Sequence, residues 1–200
     1  MLYRLALFFA LLGSSVGLLA QPVHVVKIAN FNCSVCRASS SMDPAIEAAA
    51  RDTGGQFVFA PISWGEQSNA KDLVYYAAKN RDPAVAQFVS RSLYKGSQDF
   101  GLPMENSSQV MAWLEQDGLD KTGMPLAPLI TESMAPLAQA SYDKAVALAV
   151  TAHVNSVPGY ILVVDGTPVA LLDPTSVNSR LLDLREAVVS KIKQLSSLRK

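Results

Sequence analysis

An α/β fold carrying a large helical insertion is what this sequence predicts, and three observations predict it. Apolar runs of strand character occur near residues 24–31, 56–64 and 160–172, and none occurs between Glu66 and about Ala140. A Cys33-Ser34-Val35-Cys36 motif stands between the first strand-like run and a helical one. A Val157-Pro158 step leads directly into the last pair of strand-like runs.

The elements follow in order. His24-Val25-Val26-Lys27-Ile28-Ala29-Asn30-Phe31 reads as a strand. A helix is expected from Cys33 to about Asp52, kinked or broken at Asp43-Pro44, and ended by Gly54-Gly55. Gln56 to Trp64 reads as the second strand, with Phe57, Val58, Phe59 and Ile62 as core candidates. Ala70 to Asn80 is helical, with Leu73, Tyr76 and Ala77 on one face. Asp82-Pro83 starts a further helix, a capping Asp followed by Pro in the first turn, which should run to Lys95 before Gly96. Another helix is expected from Asn106 or Ser107 to Asp117, closed by Gly118. Thr122 to Pro136 holds three prolines and reads as loop with a short helical turn. An alanine-rich helix should span Tyr142 to His153. Tyr160 to Val164 is the strongest strand. Asp165-Gly166 is a hairpin turn signal, and Thr167 to Leu172 is the partner, where Pro168 demands an edge position or a strand start. A last helix begins near Thr175 and spaces Leu181, Leu184, Val188, Ile192 and Leu195 for one buried face.

The cysteines carry the chemistry. They are the only two in the chain. If the helix begins at Cys33, the two sulfurs lie close on its first turn and can close a small disulfide. Cys33 then sits at a helix N-terminus, where unpaired N–H groups and the macrodipole favour a thiolate. The thiolate is the species that attacks disulfides. A loop this short removes little entropy from the unfolded chain, so the pair suits reversible exchange better than permanent cross-linking.

Met1 to Ala20 has the order of a secretory leader: Arg4 as its one charge, an apolar core from Leu5 to Leu12, then Gly13, Ser14 and Ser15. Cleavage is expected after Ala20. The alternative is an uncleaved membrane anchor, although the apolar core is shorter than the ~20 residues of a spanning helix. Either way the rest of the chain is exported to a compartment where disulfides persist. Formal charge is balanced, with 17 Lys and Arg against 17 Asp and Glu, and no long basic run occurs, which argues against nucleic acid. The basic cluster at Lys191 to Lys200 has the spacing of a solvated helix face. His24 and His153 with the two cysteines match structural zinc spacing poorly, so no metal site is expected. His153 is read as a helix C-terminal residue, and Trp64 and Trp113 as core or domain-interface residues.

The order strand, Cys-X-X-Cys helix, strand, then Val157-Pro158, strand, hairpin, strand and helix resembles a thioredoxin fold. The helical block between the second strand and the alanine-rich helix resembles that of the DsbA-type thiol-disulfide oxidoreductases of bacterial envelopes. The resemblance implies a leader at 1–20, a thioredoxin-like domain of 21–65 plus 141–200, and an inserted helical domain at 66–140. It implies Cys33 as nucleophile, Cys36 as resolving thiol, and Pro158 as a cis-proline whose loop faces the pair. Val157 would offer its backbone to an extended client. No cofactor is implied beyond a redox-active Cys33–Cys36 disulfide. The implied partners are cysteine-containing exported proteins and a membrane redox partner, either a quinone-linked oxidant or an electron donor. The implied location is the periplasm.

Three features depart from the family pattern. Ser34-Val35 replaces the Pro-His found between the cysteines of strong oxidants. Lys27 stands six residues before Cys33, where a buried acid is usual. A lysine there either favours the thiolate by charge or points its amine to solvent. Little room is expected between Ala20 and the first strand for an N-terminal dimerisation module of the isomerase type. Redox direction stays open between oxidase and reductase or isomerase. A second class of function also stays open: a non-catalytic assembly or chaperone component of an envelope secretion or conjugation machine, with the cysteines as a local brace.

Overall fold

The computed structural model describes residues 21–177 and 180–197, so the leader read in Met1–Ala20 lies outside the described residues. Strand β1, His24–Ala29, is interior to the sheet and has an apolar run broken only by Lys27. It pairs in parallel with β2, Phe57–Pro61, and antiparallel with β3, Gly159–Val164. Strand β4, Thr167–Leu172, pairs antiparallel with β3, giving the order β2-β1-β3-β4. Asp165 and Gly166 join β3 to β4 with φ of 50° and 77°, the left-handed pair that a two-residue hairpin turn needs. Pro168 falls on edge strand β4, where the missing N–H costs no ladder bond to a further strand.

Helices α1, Ser34–Ser39, and α2, Asp43–Asp52, connect β1 to β2. The predicted interruption at Asp43-Pro44 is a full break, and Pro44 occupies the first turn of α2, where no N–H donor is needed. Helices α3 (Ala70–Arg81), α4 (Pro83–Gln98), α5 (Ser107–Gln116), α6 (Leu126–Ser133) and α7 (Pro136–Thr151) lie between β2 and β3, and α8, Leu181–Ser196, follows β4. One side of the sheet presents Val23, Val25, Tyr160 and Leu162 to Ile46 and Ala50 of α2 and to Leu184, Val188 and Ile192 of α8. The other presents Ile28 and Ile161 to the core shared with α3–α7.

Five local expectations differ from the structure. Thr122–Pro136 contains a true helix, α6, and α7 starts at Pro136 rather than Tyr142. Pro128 and Pro136 fall in first helical turns, so they mark starts rather than a loop. Helix α4 does not stop at Lys95. It continues through Gly96 to Gln98, because the Trp113 indole packs on that glycine: a Cβ there would lie 2.6 Å from Trp113 Nε1. Phe57, Val58 and Phe59 are only partly buried, since β2 is an edge strand, whereas Ile62 is buried. The final helix begins at Leu181, preceded by a short 3₁₀ turn at Pro174–Ser176 that Asp173 caps.

Candidate functional site

The site stands at the C-terminal end of β1. Cys33 is the N-cap of α1, with extended backbone angles, and its sulfur accepts from the Cys36 backbone N–H at 3.0 Å. That bond ties the helix start to the Cys33 sulfur. Both cysteines are free thiols; Cys33 is half-buried and Cys36 has no exposed surface. The Cys33 thiol is lowered to about 6. The Cys36 thiol donating to its sulfur is the largest cause, with the backbone N–H groups of Cys36 and Val35 and the charge of Lys27 adding to it, while burial opposes. The Cys36 thiol is pushed far up by the same hydrogen bond and by burial. Two identical side chains three residues apart are thus made chemically unlike by position alone.

The Val157–Pro158 bond is cis, and its loop lies against the motif: Cys33 Sγ is 3.6 Å from the Val157 carbonyl oxygen. The structure therefore brings Cys33, Cys36, Val157 and Pro158 together from opposite ends of the chain. Ser34 and Val35 are exposed on the first turn of α1, with Val35 42% accessible.

Lys27 does not reach solvent. Its side chain is fully buried below the motif, and its Nζ donates to both Asp43 carboxylate oxygens at 2.9 and 2.8 Å. Ser40 Oγ at 3.4 Å and the Cys36 carbonyl at 3.5 Å complete its surroundings, and the rings of Phe59 and Tyr160 lie within 6 Å of the ammonium. The Tyr160 hydroxyl donates to Asp43 Oδ1 at 3.1 Å. Burial lowers the Lys27 pKa and raises that of Asp43, and each offsets the shift of the other. Of the two readings of Lys27, the solvent-pointing amine is overturned, because Lys27 is on an interior strand and α2 covers its face, while its charge adds to the lowering of Cys33.

Sequence reasoning missed the residues that support the motif from outside it. Gln98, at the end of α4, donates its amide to the carbonyls of Phe31 and Cys33 at 3.0 and 3.1 Å. Arg37 and Asp99 pair beside it. Lys71 Nζ reaches Asn32 Oδ1 at 2.8 Å. Asp43 was visible only as a helix breaker, and Gln98 lay beyond the glycine that was read as a stop. Trp113 is buried with its indole N–H donating to the Ser92 carbonyl, whereas Trp64 is 39% exposed. Among the described residues no cluster of metal-ligating side chains occurs, and no helix is long and apolar enough to cross a membrane.

No protein-family profile matches the sequence, and no curated protein is a significant match. Solved structures do match. A crystal structure of reduced DsbL is similar with a TM-score of 0.65 at 20% identity, covering 89% of this chain and 91% of that one. The oxidoreductase DsbA from Xylella fastidiosa gives 0.64 at 18%, covering 88% and 89%. DsbL from Salmonella enterica serovar Typhimurium gives 0.63 at 17%, covering 89% of both chains. The fold is the DsbA fold. The predicted thioredoxin architecture with a helical insertion is therefore the observed one, and the DsbA-like likeness spans nearly all of the described chain.

Proposed function

We propose that this protein is an exported thiol-disulfide oxidoreductase, with Cys33 as nucleophile and Cys36 as resolving thiol. The observation that carries the reading is the Cys33 sulfur itself. It is half-exposed, lowered to about 6, and set at a helix start beside the Val157 carbonyl. A thiol of that kind is largely ionised at neutral pH, and the thiolate is the attacking species. Cys33 attacks one sulfur of a client disulfide, an S–S bond forms between them, and the electron pair leaves on the second client sulfur. Cys36 then attacks Cys33, the intramolecular disulfide forms, and the client leaves as a thiolate. Run in reverse, the same steps oxidise a dithiol. No cofactor beyond the cysteine pair enters these steps.

Val157 presents main-chain groups beside the reactive sulfur, which suits an extended peptide segment added along the loop. Pro158 shapes that loop. Residues 21–65 with 141–200 are proposed as the unit that bears the site and 66–140 as the insertion that braces it. The leader pattern in Met1–Ala20 supports export to the periplasm, where the clients would be cysteine-containing exported proteins. A membrane redox partner, an oxidant or an electron donor, would restore the pair.

Glutathione disulfide and reduced insulin test the reading directly. Purified protein should exchange with both, Cys36→Ala should accumulate a mixed disulfide on Cys33, and Cys33→Ala should be inert. Absence of a trapped adduct in Cys36→Ala would sink the catalytic reading and leave the brace.

A further inference from the structure

The loop that enters β3 has little main-chain bonding to hold it. Among the described residues, Asn155 to Pro158 make no backbone–backbone hydrogen bond. A loop that offers its main chain to a client must leave those groups free, so its position has to be fixed through side chains. One side chain does this. The Ser156 hydroxyl, one residue before Val157, donates to Asp173 Oδ2 at 2.6 Å. Asp173 directly follows β4, one residue past the Tyr160–Leu172 register pair. The loop also presses on that strand. A Cβ at Gly159 would lie 3.1 Å from the Val154 side chain, 3.3 Å from Leu171 and 3.4 Å from the Ser156 carbonyl oxygen.

Asp173 divides its two oxygens between two tasks. Oδ1 takes the N–H groups of Thr175 and Ser176 at 2.9 and 3.0 Å, and their hydroxyls at 2.6 and 3.0 Å. Those bonds build the 3₁₀ turn at Pro174–Ser176. Oδ2 takes Ser156 and, among the described residues, no other donor. Burial pushes this carboxyl up, but donation from Ser156, Thr175 and Ser176 outweighs it and holds the group below the ordinary carboxylate value. The bond from Ser156 is therefore charge-assisted, and its length is that of such a bond. A cap needs one carboxylate oxygen. The second reaches out of the turn to a loop 17 residues earlier in the chain.

We infer that the Ser156–Asp173 bond positions the Val157 main chain for an extended client, and so sets the preference of the site for peptide disulfides over small ones. This rests on the exchange chemistry proposed above and deepens it. A small disulfide reaches the half-exposed Cys33 sulfur without lying along the loop. An extended peptide pairs with the loop, and that pairing needs the Val157 carbonyl and N–H held in one orientation. Without the bond, Asn155 to Val157 gain conformations that the peptide must then freeze out, and the cost falls on peptide binding alone. Ser156 and Asp173 are positioning residues. Ser156 bonds to Asp173, and the sulfurs bond to neither.

The test uses the full chain carrying Cys36→Ala, in which a mixed disulfide on Cys33 stays trapped. The probes are glutathione disulfide and the symmetrical disulfide of a linear peptide of about ten residues with a central cysteine. With either, the Cys33 thiolate bonds to one probe sulfur, the probe S–S bond breaks, and the electron pair leaves on the other sulfur. Acid quenching and mass spectrometry give both rates. Adding Ser156→Ala removes the hydroxyl and leaves the bonds to Asp173 Oδ1 in place. The ratio of the peptide rate to the glutathione rate should then fall about tenfold. Ser156→Thr, which keeps a hydroxyl, should hold the ratio within about twofold of its parent. A fall shared equally by both probes leaves the ratio at its parent value and overturns the inference alone. A Ser156→Thr ratio as low as that of Ser156→Ala also overturns it, because shape and not the bond would then set the preference. Failure of the Cys36→Ala parent to form a mixed disulfide with either probe overturns the exchange reading beneath it.

Discussion

The mouth of the site and its floor are built from the same few elements and treat charge in opposite ways. At the mouth, the Cys33 sulfur meets backbone N–H groups, a thiol donor and a helix start, so a negative charge is welcome there. At the floor, Lys27 is fully buried and Asp43 only partly exposed, and the buried ammonium is tolerated because that carboxylate is present. Charge at the mouth is stabilised first by the neighbouring Cys36 thiol and then by backbone N–H groups of the helix start, donors that lie within the same turn of chain. Charge at the floor depends on a specific partner from another element. The mouth should therefore respond gradually to substitution around it, and the floor should fail when one partner is lost.

The largest expected effect is at the mouth and is chemical. Cys33→Ala should show no exchange above buffer background, and alkylation of Cys33 in the wild-type protein should rise with a half-point near pH 6. The sign follows from a depressed thiol. Stabilisation of the reduced form by the thiolate is complete above the ordinary thiol value of ~8.5 and is lost as pH falls through about 6. A Cys33 half-point near 8.5 would erase the contrast between the two cysteines.

Lys27→Met tests the floor. It leaves the Asp43 carboxylate below the motif with only Tyr160 to donate, and should destabilise the protein by about 3–5 kcal/mol in denaturant titration. Adding Asp43→Leu should recover most of that loss. If Lys27→Met costs under about 1 kcal/mol, the pair is solvated and the distinction from the mouth falls.

Asp72 offers a floor-like charge away from the cysteines. It is buried on α3, takes the Ser63 hydroxyl, and burial raises it to about 7. A raised carboxylate binds its proton more tightly in the folded state. Its stability contribution is thus present below about pH 4 and is lost as pH rises to 7, on the order of 4 kcal/mol in all. Asp72→Asn should flatten that slope, measured by unfolding at pH 4 to 8.

The smallest effect returns to the mouth. With Val35 exposed and no imidazole beside Cys33, the reduction potential should lie between about −220 and −130 mV, and Val35→His should raise it by about 30 mV. Equilibration with glutathione buffers reads both. A wild-type value near −120 mV would show that Lys27 and the backbone already supply what a histidine would add.

The strands, the cysteine motif and the Val157-Pro158 loop were legible because each is a local signal: apolar alternation, a fixed spacing, a turn-forming pair at Asp165-Gly166. Helix α6 and the first turns of α7 were not, because Pro128 and Pro136 signal either a break or a start, and the sequence alone does not say which. Gly96 misled for a related reason. Glycine stops helices, but here it makes room for the Trp113 ring from α5, and the added turn carries Gln98 to the Cys33 carbonyl.

By itself the sequence determined that two cysteines would share the first turn of a helix after a strand, and that a strand hairpin entered by a proline would follow a helical block. Those are consequences of chain-local geometry. Tertiary structure alone decided that Lys27 is buried, that Asp43 is its partner, and that Gln98 and Lys71 reach the motif from α4 and α3. Each depends on how far one element slides past another when the core closes. A charge on an interior strand also has no fixed meaning until the covering helix brings, or fails to bring, its counter-ion.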